Sequence, residues 1–228
     1  MPLNFAEGQV LLFNKPYMWT SFDLVNKVKF VLKKNNPDYK KIKVGHAGTL
    51  DPLATGLMIV CTGKKTKEIS HFTGLDKEYI VTIKFGATTP SFDLETQVDN
   101  EYPYDFITIE KLKEALLSFK GKQLQKPPLF SAKKVNGVRA YDKARAGSTL
   151  LLKKVEIEIK ELELLDFTLP VAKVKILCTK GTYIRSFAYD LGKFLNSGAH
   201  LTALERTKIG DFSIDKAIDI NDLILFVK

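Results

Sequence analysis

The chain has 228 residues, of which 45% are hydrophobic, and it carries a formal net charge of +9 at pH 7. This composition excludes a disordered chain, and the apolar runs are too short to span a membrane. The N-terminal residues lack the basic start, apolar stretch and cleavage site of a secretory signal, so we expect a cytoplasmic protein. The positive charge favours a polyanionic partner, although such a surplus also occurs in proteins that need only solubility.

The predicted elements follow one another as strands and helices, with no repeat or clear linker. In chain order we predict a strand over 9–13, a helix capped by Thr20 or Ser21, a buried strand over 57–61, a short helix over 64–72, a strand over 79–85, a helix capped by Thr108, a hairpin around Asn136-Gly137, strands over 155–159 and 172–179, a helix after Tyr183, a strand over 201–209 and a closing helix over 219–227. Hairpin signals among helices favour an α+β fold with a mixed sheet and helices packed on it.

The charges are segregated along the chain. Residues 120–154 contain ten Lys or Arg against the single acid Asp142, whereas residues 91–119 carry seven acids against two lysines. The Asn-Gly pair lies inside the basic stretch, which therefore predicts a basic hairpin. Lysines and arginines mixed with aromatic residues are typical of an RNA-binding segment.

Cysteines and histidines give no sign of a metal site or a disulfide. Cys61 and Cys178 lie far apart in apolar, strand-like contexts and form no C-x-x-C pair. The three histidines show neither H-x-x-x-H nor H-E-x-x-H spacing. We therefore predict two buried, reduced thiols and no bound metal.

A glycine-rich string over residues 44–63 surrounds a single acid, Asp51, and leads directly into the buried strand over 57–61. Pro52 favours an extended backbone at Asp51, and the glycines permit conformations that other residues resist. The string matches neither a P-loop nor a G-x-G-x-x-G fingerprint. Asp-Pro is often only a turn, but the order of the whole string favours an active-site loop that holds a carboxylate in a fixed position.

The segment G-H-A-G-T-L-D-P-L-A-T-G, residues 45–56, resembles the catalytic signature of the TruB family of tRNA pseudouridine synthases. Five further segments are similar to family segments and follow the family order. They are Asn14-Lys15-Pro16, Asp76-Lys77-Glu78-Tyr79, residues 126–132, residues 180–185 and residues 198–204. The resemblance implies a pseudouridine synthase-like fold, that is, a mixed, largely antiparallel sheet with helices packed on it.

The resemblance also implies a domain organisation. We expect a single catalytic domain over 1–228 with a basic RNA-binding insertion at about 120–154. Only fifteen residues follow Ser213, too few for the RNA-binding PUA domain at the end of many relatives. The form without that domain implies a stand-alone enzyme that needs neither a guide RNA nor an obligate protein partner.

The implied reaction is isomerisation of the T-loop uridine of tRNA, position 55, to pseudouridine. The bond from N1 of uracil to the ribose breaks, the base turns, and a new bond forms through C5, so no redox cofactor is required. Asp51 matches the obligatory aspartate. The family leaves three routes open for it: attack on the ribose, attack on the base, or removal of a ribose proton.

The resemblance assigns roles to further residues. Arg185 matches the arginine that pairs with the aspartate, and Tyr79 matches the tyrosine that stacks on the target base. The other candidates are His46 beside the flipped nucleotide, Tyr183 and Leu204 in the uracil pocket, Lys15 as loop support or phosphate contact, and Lys133, Lys134 and Arg139 as RNA-binding residues. Considered without the family, a surface position for Arg185 and core positions for Tyr79, Tyr183 and Leu204 remain open.

Two other functions remain open at this point. A non-catalytic RNA-binding or RNA-folding protein could keep the same charge pattern, and an enzyme acting on free nucleotides could use a similar carboxylate. One departure from the family concerns Glu205, which stands in a segment that is often double-basic. It removes one possible phosphate contact. We expect a tRNA isomerase with no cofactor and no membrane association.

Overall fold

The computed structural model describes residues 4–130, 134–135, 138–139 and 152–226. The elements, in chain order, are β1 (Val10–Lys15), α1 (Ser21–Asn35), β2 (Val44–Ala47), β3 (Thr55–Thr62), α2 (Ile69–Gly74), β4 (Lys77–Phe85), β5 (Ala87–Thr88), β6 (Asn100–Glu101), α3 (Ile109–Ser118), β7 (Gly121–Gln125), β8 (Lys134–Val135), β9 (Val138–Arg139), β10 (Val155–Thr168), β11 (Val171–Cys178), α4 (Ile184–Phe194), β12 (Ala199–Ile209) and β13 (Phe212–Ser213). The α+β class is confirmed.

The chain divides into two units, and it passes between them within β4 and within β12. Unit 1 comprises Met1–Tyr79 and Leu204–Lys228, and unit 2 comprises Ile80–Ala203. The expectation of a single catalytic domain over 1–228 stays a prediction.

Unit 1 is built on β3, a strand whose residues are buried except at its first position. Its neighbours follow the order β1-β3-β12-β4, with β2 also paired to β3 and β13 to β12. The β1 and β2 pairings are antiparallel, whereas β12 runs parallel to β3. The core includes Leu57, Ile59, Cys61 and Phe72. Burial raises the pKa of the Cys61 thiol to about 11, so this thiol is inert at neutral pH.

In unit 2 the strand order is β12-β4-β11-β10-β7. β10 pairs antiparallel with both β11 and β7, so the mixed, largely antiparallel sheet is confirmed. The buried positions of α3 and α4 lie at helical spacing, as an amphipathic helix requires. Phe119 and Phe187 meet edge to face, with ring centroids 5.5 Å apart. Cys178 is buried, as predicted.

Several local predictions are confirmed, and two predicted helices are present with a different helix type. Thr20 caps α1: its side chain accepts a hydrogen bond from the Asp23 amide at 3.0 Å, and the Asp23 carboxylate accepts one from the Thr20 amide. Thr108 caps α3 through its hydroxyl, which accepts a hydrogen bond from the Lys111 amide at 3.3 Å. The helix predicted over 64–72 is instead a 3₁₀ helix, Gly63–Glu68, followed by the short α2, and the closing helix is a 3₁₀ helix, Ile220–Phe226. Tertiary context overrides the weak helical pattern of these short segments.

The basic stretch over 120–154 is partly described. Its first residues form β7, which pairs with β10. β8 and β9 then pair antiparallel with Val135 opposite Val138, the register that a two-residue hairpin turn requires. Residues 136 and 137 themselves lie outside the described residues. Within the described chain, no helix has the length and apolar character needed to cross a membrane.

Candidate active site

The loop that joins β2 to β3 carries Asp51, and its conformation depends on two glycines. Gly48 and Gly56 have φ values of +89° and +106°, which side chains resist. At Gly56 the parallel partner strand approaches so closely that an added Cβ would lie 2.4 Å from the carbonyl oxygen of Arg206. The Ala54 amide donates to the carbonyl of Asp51 at 3.1 Å. The backbone of Asp51 therefore lies in a tight turn whose C-terminal end fits only glycine.

Hydrogen bonds hold the residue on each side of Asp51. The Ser21 hydroxyl accepts from the Leu50 amide at 2.8 Å and donates to the Leu50 carbonyl at 3.0 Å. On the other side, the Met18 amide donates to the Pro52 carbonyl at 2.9 Å. Leu50 itself is buried. Met18 and Ser21, between the end of β1 and the start of α1, therefore fix the backbone on both sides of Asp51.

Lys15 lies under this loop with no exposed surface. Its ammonium donates to the carbonyl oxygens of Pro16 at 2.9 Å, Trp19 at 2.6 Å and Pro52 at 3.3 Å. Burial lowers the pKa of Lys15 to about 8, and the negative charge of Asp51 opposes that shift. Of the two roles that the sequence left open for Lys15, the geometry corresponds to loop support, since the ammonium is saturated with carbonyl acceptors.

Arg206, on β12, is a site residue that sequence reasoning missed. It is 1% exposed. Its Nε donates to the Leu57 carbonyl at 2.8 Å and its Nη2 donates to the Gly48 carbonyl at 3.1 Å. It also hydrogen-bonds the phenol of Tyr79, which opposes the lowering of the Arg206 pKa by burial. One guanidinium therefore links both ends of the loop to the tyrosine.

His46 is half-buried on β2. Burial lowers its pKa, and the positive charge of Arg206 lowers it further, so the imidazole is neutral at pH 7. No described residue is a hydrogen-bond partner of its buried Nδ1. Leu204, the other predicted pocket residue of unit 1, is half-buried on β12, two positions before Arg206.

Arg185 occupies the first turn of α4 in unit 2, and it is 5% exposed rather than on the surface. Its guanidinium donates to the carbonyl oxygens of Ser91 at 3.0 Å and Phe130 at 2.8 Å. Its Nε lies 3.7 Å from a carboxylate oxygen of Asp93. These contacts fix the direction of the side chain, and Asp93 is a further charged residue that sequence reasoning missed.

Tyr183 lies at the N-cap of α4 and is half-buried. The side-chain amide of Gln125 holds its backbone on both sides, since it accepts from the Tyr183 amide at 2.8 Å and donates to the Tyr183 carbonyl at 3.0 Å. Of the predicted RNA-binding residues, Lys134 and Arg139 are opposite each other in the β8–β9 register. Lys133 lies outside the described residues.

The structure thus brings together Lys15, His46, Tyr79 and the Asp51 loop around Arg206 within unit 1, and it brings Tyr183 and Arg185 together at the start of α4 in unit 2. The expected pairing of Arg185 with Asp51 stays a prediction. No group of three or more His, Cys, Asp or Glu among the described residues could hold a metal ion.

Comparison with known proteins identifies the family. A family model described as "TruB family pseudouridylate synthase (N terminal domain)" matches residues 34–184. The chain belongs to this family. A "tRNA pseudouridine synthase B" from Parabacteroides distasonis is 54% identical over 99% of this chain and 96% of its own length. A protein of the same description from Flavobacterium johnsoniae is 52% identical, with 96% of each chain covered. Members of this family are isomerases.

Chains in two solved structures share the fold. A chain in the crystal structure of a Cbf5-Nop10-Gar1 complex superposes with a TM-score of 0.73 at 25% identity, which covers 96% of this chain. The archaeal box H/ACA sRNP Nop10-Cbf5 complex contains a chain with a TM-score of 0.69 at 21% identity. This chain spans about half the length of both, 54% in each case.

We expect Arg206→Met to lower the free energy of unfolding by about 3 kcal/mol, because it leaves the buried Gly48 and Leu57 carbonyls without their donor. Urea unfolding at pH 7 measures this loss. Lys208→Met, two positions along the same strand but with its side chain 52% exposed, is the matched control and should change stability by less than about 1 kcal/mol. Equal losses for the two variants would contradict the role given to Arg206.

We expect the stability of the wild-type protein relative to Lys15→Met to rise as the pH increases from 8 to about 10. The folded state releases the Lys15 proton near pH 8, whereas the unfolded state keeps it up to 10.5, so the unfolded state binds more protons in this window. The full difference corresponds to about 3 kcal/mol. Unfolding measured at several pH values checks this, with the exposed Lys67→Met as the charge control. A difference in unfolding free energy that does not change with pH would exclude a lowered pKa of Lys15.

Proposed function

We propose that the protein converts the uridine at position 55, in the T-loop of tRNA, to pseudouridine, with Asp51 as the essential carboxylate. The observation that carries this proposal is the fastened loop, in which the residues on both sides of Asp51 are hydrogen-bonded to the rest of unit 1. The names of the relatives at 44–54% identity, all "tRNA pseudouridine synthase B", support tRNA as the substrate.

The reaction moves one bond and leaves the composition of the nucleotide unchanged. The bond between N1 and C1′ breaks, uracil turns in its pocket, a bond forms between C5 and C1′, and the proton on C5 is lost while N1 gains one. Asp51 acts by attack on the ribose, by attack on the base or by removal of a ribose proton. Each route requires an ionised carboxylate at a fixed position, and the attraction between Lys15 and Asp51 favours that charged form.

Other predicted site residues would contact the flipped base or Asp51. Tyr79 would stack on uracil, with its phenol held by Arg206. His46, neutral at pH 7, would fill the space that the uridine leaves, and Leu204 and Tyr183 would line the pocket. Arg185, which is buried and already oriented by two carbonyl groups, would pair with Asp51. Exclusion of water around the detached uracil would prevent side reactions.

We further propose that the enzyme recognises the T-arm without a guide RNA or an obligate protein partner, and that it works in the cytoplasm. High identity to relatives named as tRNA enzymes supports this choice over the guide-dependent assembly. The basic hairpin would bind phosphates of the T-arm, which supplies affinity with little sequence choice.

We expect Asp51→Asn to reduce pseudouridine formation in unmodified tRNA by about 10³-fold or more, because the carboxylate takes part in the reaction itself. Binding of the tRNA should change less than about threefold, since phosphate contacts supply most of the affinity. Pseudouridine mapping and filter binding on the same transcript measure both. A wild-type protein that binds tRNA but leaves it unmodified would favour the RNA-folding alternative, and equal turnover of free uridine monophosphate would favour a nucleotide enzyme.

Replacing Lys133, Lys134 and Arg139 together with glutamine should weaken tRNA binding and reduce the slope of log affinity against log salt by about 2 to 3, since each cation releases close to one counterion. The matched control removes three exposed lysines elsewhere, Lys84, Lys173 and Lys216. An unchanged slope in the hairpin variant would place the main phosphate contacts on other residues.

A further inference from the structure

Met18 has an unusual backbone for an exposed residue. Three non-glycine residues of the described chain have positive φ: Met18 at 66°, Phe92 at 65° and Asn196 at 55°. Asparagine tolerates this conformation. Phe92 offsets its cost by stacking on Tyr189, with ring centroids 4.2 Å apart. The Met18 side chain is 64% exposed, so packing within the protein does not offset the cost of its conformation.

Met18 belongs to an exposed apolar patch, which we define as Tyr17, Met18 and Phe22. Tyr17 is 55% exposed and Phe22 is 63% exposed. Single exposed apolar side chains are ordinary, but three within six residues form a contiguous feature of the chain. The segment that carries them also fastens the Asp51 loop, because the Met18 amide bonds Pro52 and the Ser21 hydroxyl bonds Leu50. The exposed apolar patch therefore adjoins the candidate active site.

Exposed lysines at the other end of α1 add positive charge, which suits a nucleic acid that extends along this helix. Further along α1, Phe30 is 60% exposed, and Lys33 and Lys34 are exposed beside it. The one acid in the first turn, Asp23, is engaged in the capping box with Thr20. Aromatic or thioether side chains that offer a flat or adaptable apolar contact, flanked by lysines, suit unpaired bases joined by phosphates.

We propose that the exposed apolar patch binds an unpaired nucleobase of the RNA substrate, next to the uridine on which Asp51 acts. Extrusion of one uridine unstacks the bases beside it, and these bases then need a new apolar surface. This inference rests on the proposed function for the identity of the RNA. The backbone cost at Met18 is then repaid in the complex rather than in the free protein.

The test is binding of an unmodified T-arm stem-loop RNA to the Asp51→Asn protein, with 2-aminopurine placed at each unpaired loop position in turn. Adding Y17A, M18G and F22A should weaken binding about tenfold, as expected for the loss of base stacking, and should abolish the fluorescence change at one or two loop positions. Met18→Gly alone should raise the midpoint of thermal unfolding while it weakens RNA binding. A purely structural Met18 would not alter the affinity.

Two variants are matched controls. Leu117→Ala removes an exposed apolar side chain, 72% exposed on α3, and Asn196→Gly relieves a positive φ elsewhere; both should leave RNA affinity unchanged. The proposal is overturned if the triple variant binds the stem-loop as tightly as its parent, or if it loses affinity equally for a blunt RNA duplex without unpaired bases. Absence of pseudouridine formation by the wild type on the same stem-loop would overturn the proposed function. The binding data would still decide whether the exposed apolar patch binds an unpaired base.

Discussion

The hydrogen bonds from the Arg206 guanidinium to the Gly48 and Leu57 carbonyls close the Asp51 loop at both ends. They exist because β12 runs parallel to β3, with Arg206 opposite Gly56. This register brings the arginine backbone so close that only glycine fits at position 56. Burial of a guanidinium is costly, and it is tolerated here because carbonyl oxygens and the Tyr79 phenol accept hydrogen bonds from it. The position of the Asp51 loop therefore depends on one strand pairing.

A second buried cation acts on the same loop. Lys15 donates to the Pro52 carbonyl beyond Asp51, and Arg206 adds to the lowering of the Lys15 pKa because the two positive charges repel. Both cations are held by backbone carbonyls, and Asp51 is the acid that attracts Lys15. A fixed arrangement of dipoles and charges around a carboxylate needs no reorganisation when charge changes in a reaction. Burying two cations costs stability, and this cost accompanies the preorganisation.

The local features of the site could be predicted from the sequence, and its long-range contacts could not. The buried strand before Cys61, the cap at Thr20 and the register around Asn136-Gly137 follow from patterns of adjacent residues. Arg206 reaches Leu57 across 149 positions, and this contact depends on which strands become neighbours. Gln125 holds the Tyr183 backbone from 58 positions away for the same reason. The family's double-basic segment draws notice to Glu205, and nothing in the sequence pattern indicates the role of Arg206, which follows it.

Several contacts that hold the Asp51 loop use the backbone of the residues beside Asp51. Ser21 bonds Leu50, Met18 and Lys15 bond Pro52, and Arg206 bonds Gly48. These particular bonds do not involve the side chain at position 51, so a substitution there leaves them in place. The positive φ angles near this site, at Gly48, Gly56 and Met18, lie in the loop, at the start of β3 and in the segment that is hydrogen-bonded to the loop. Glycine adopts such angles without strain, so the conformational cost near the site falls on Met18, whose amide is hydrogen-bonded to the Pro52 carbonyl.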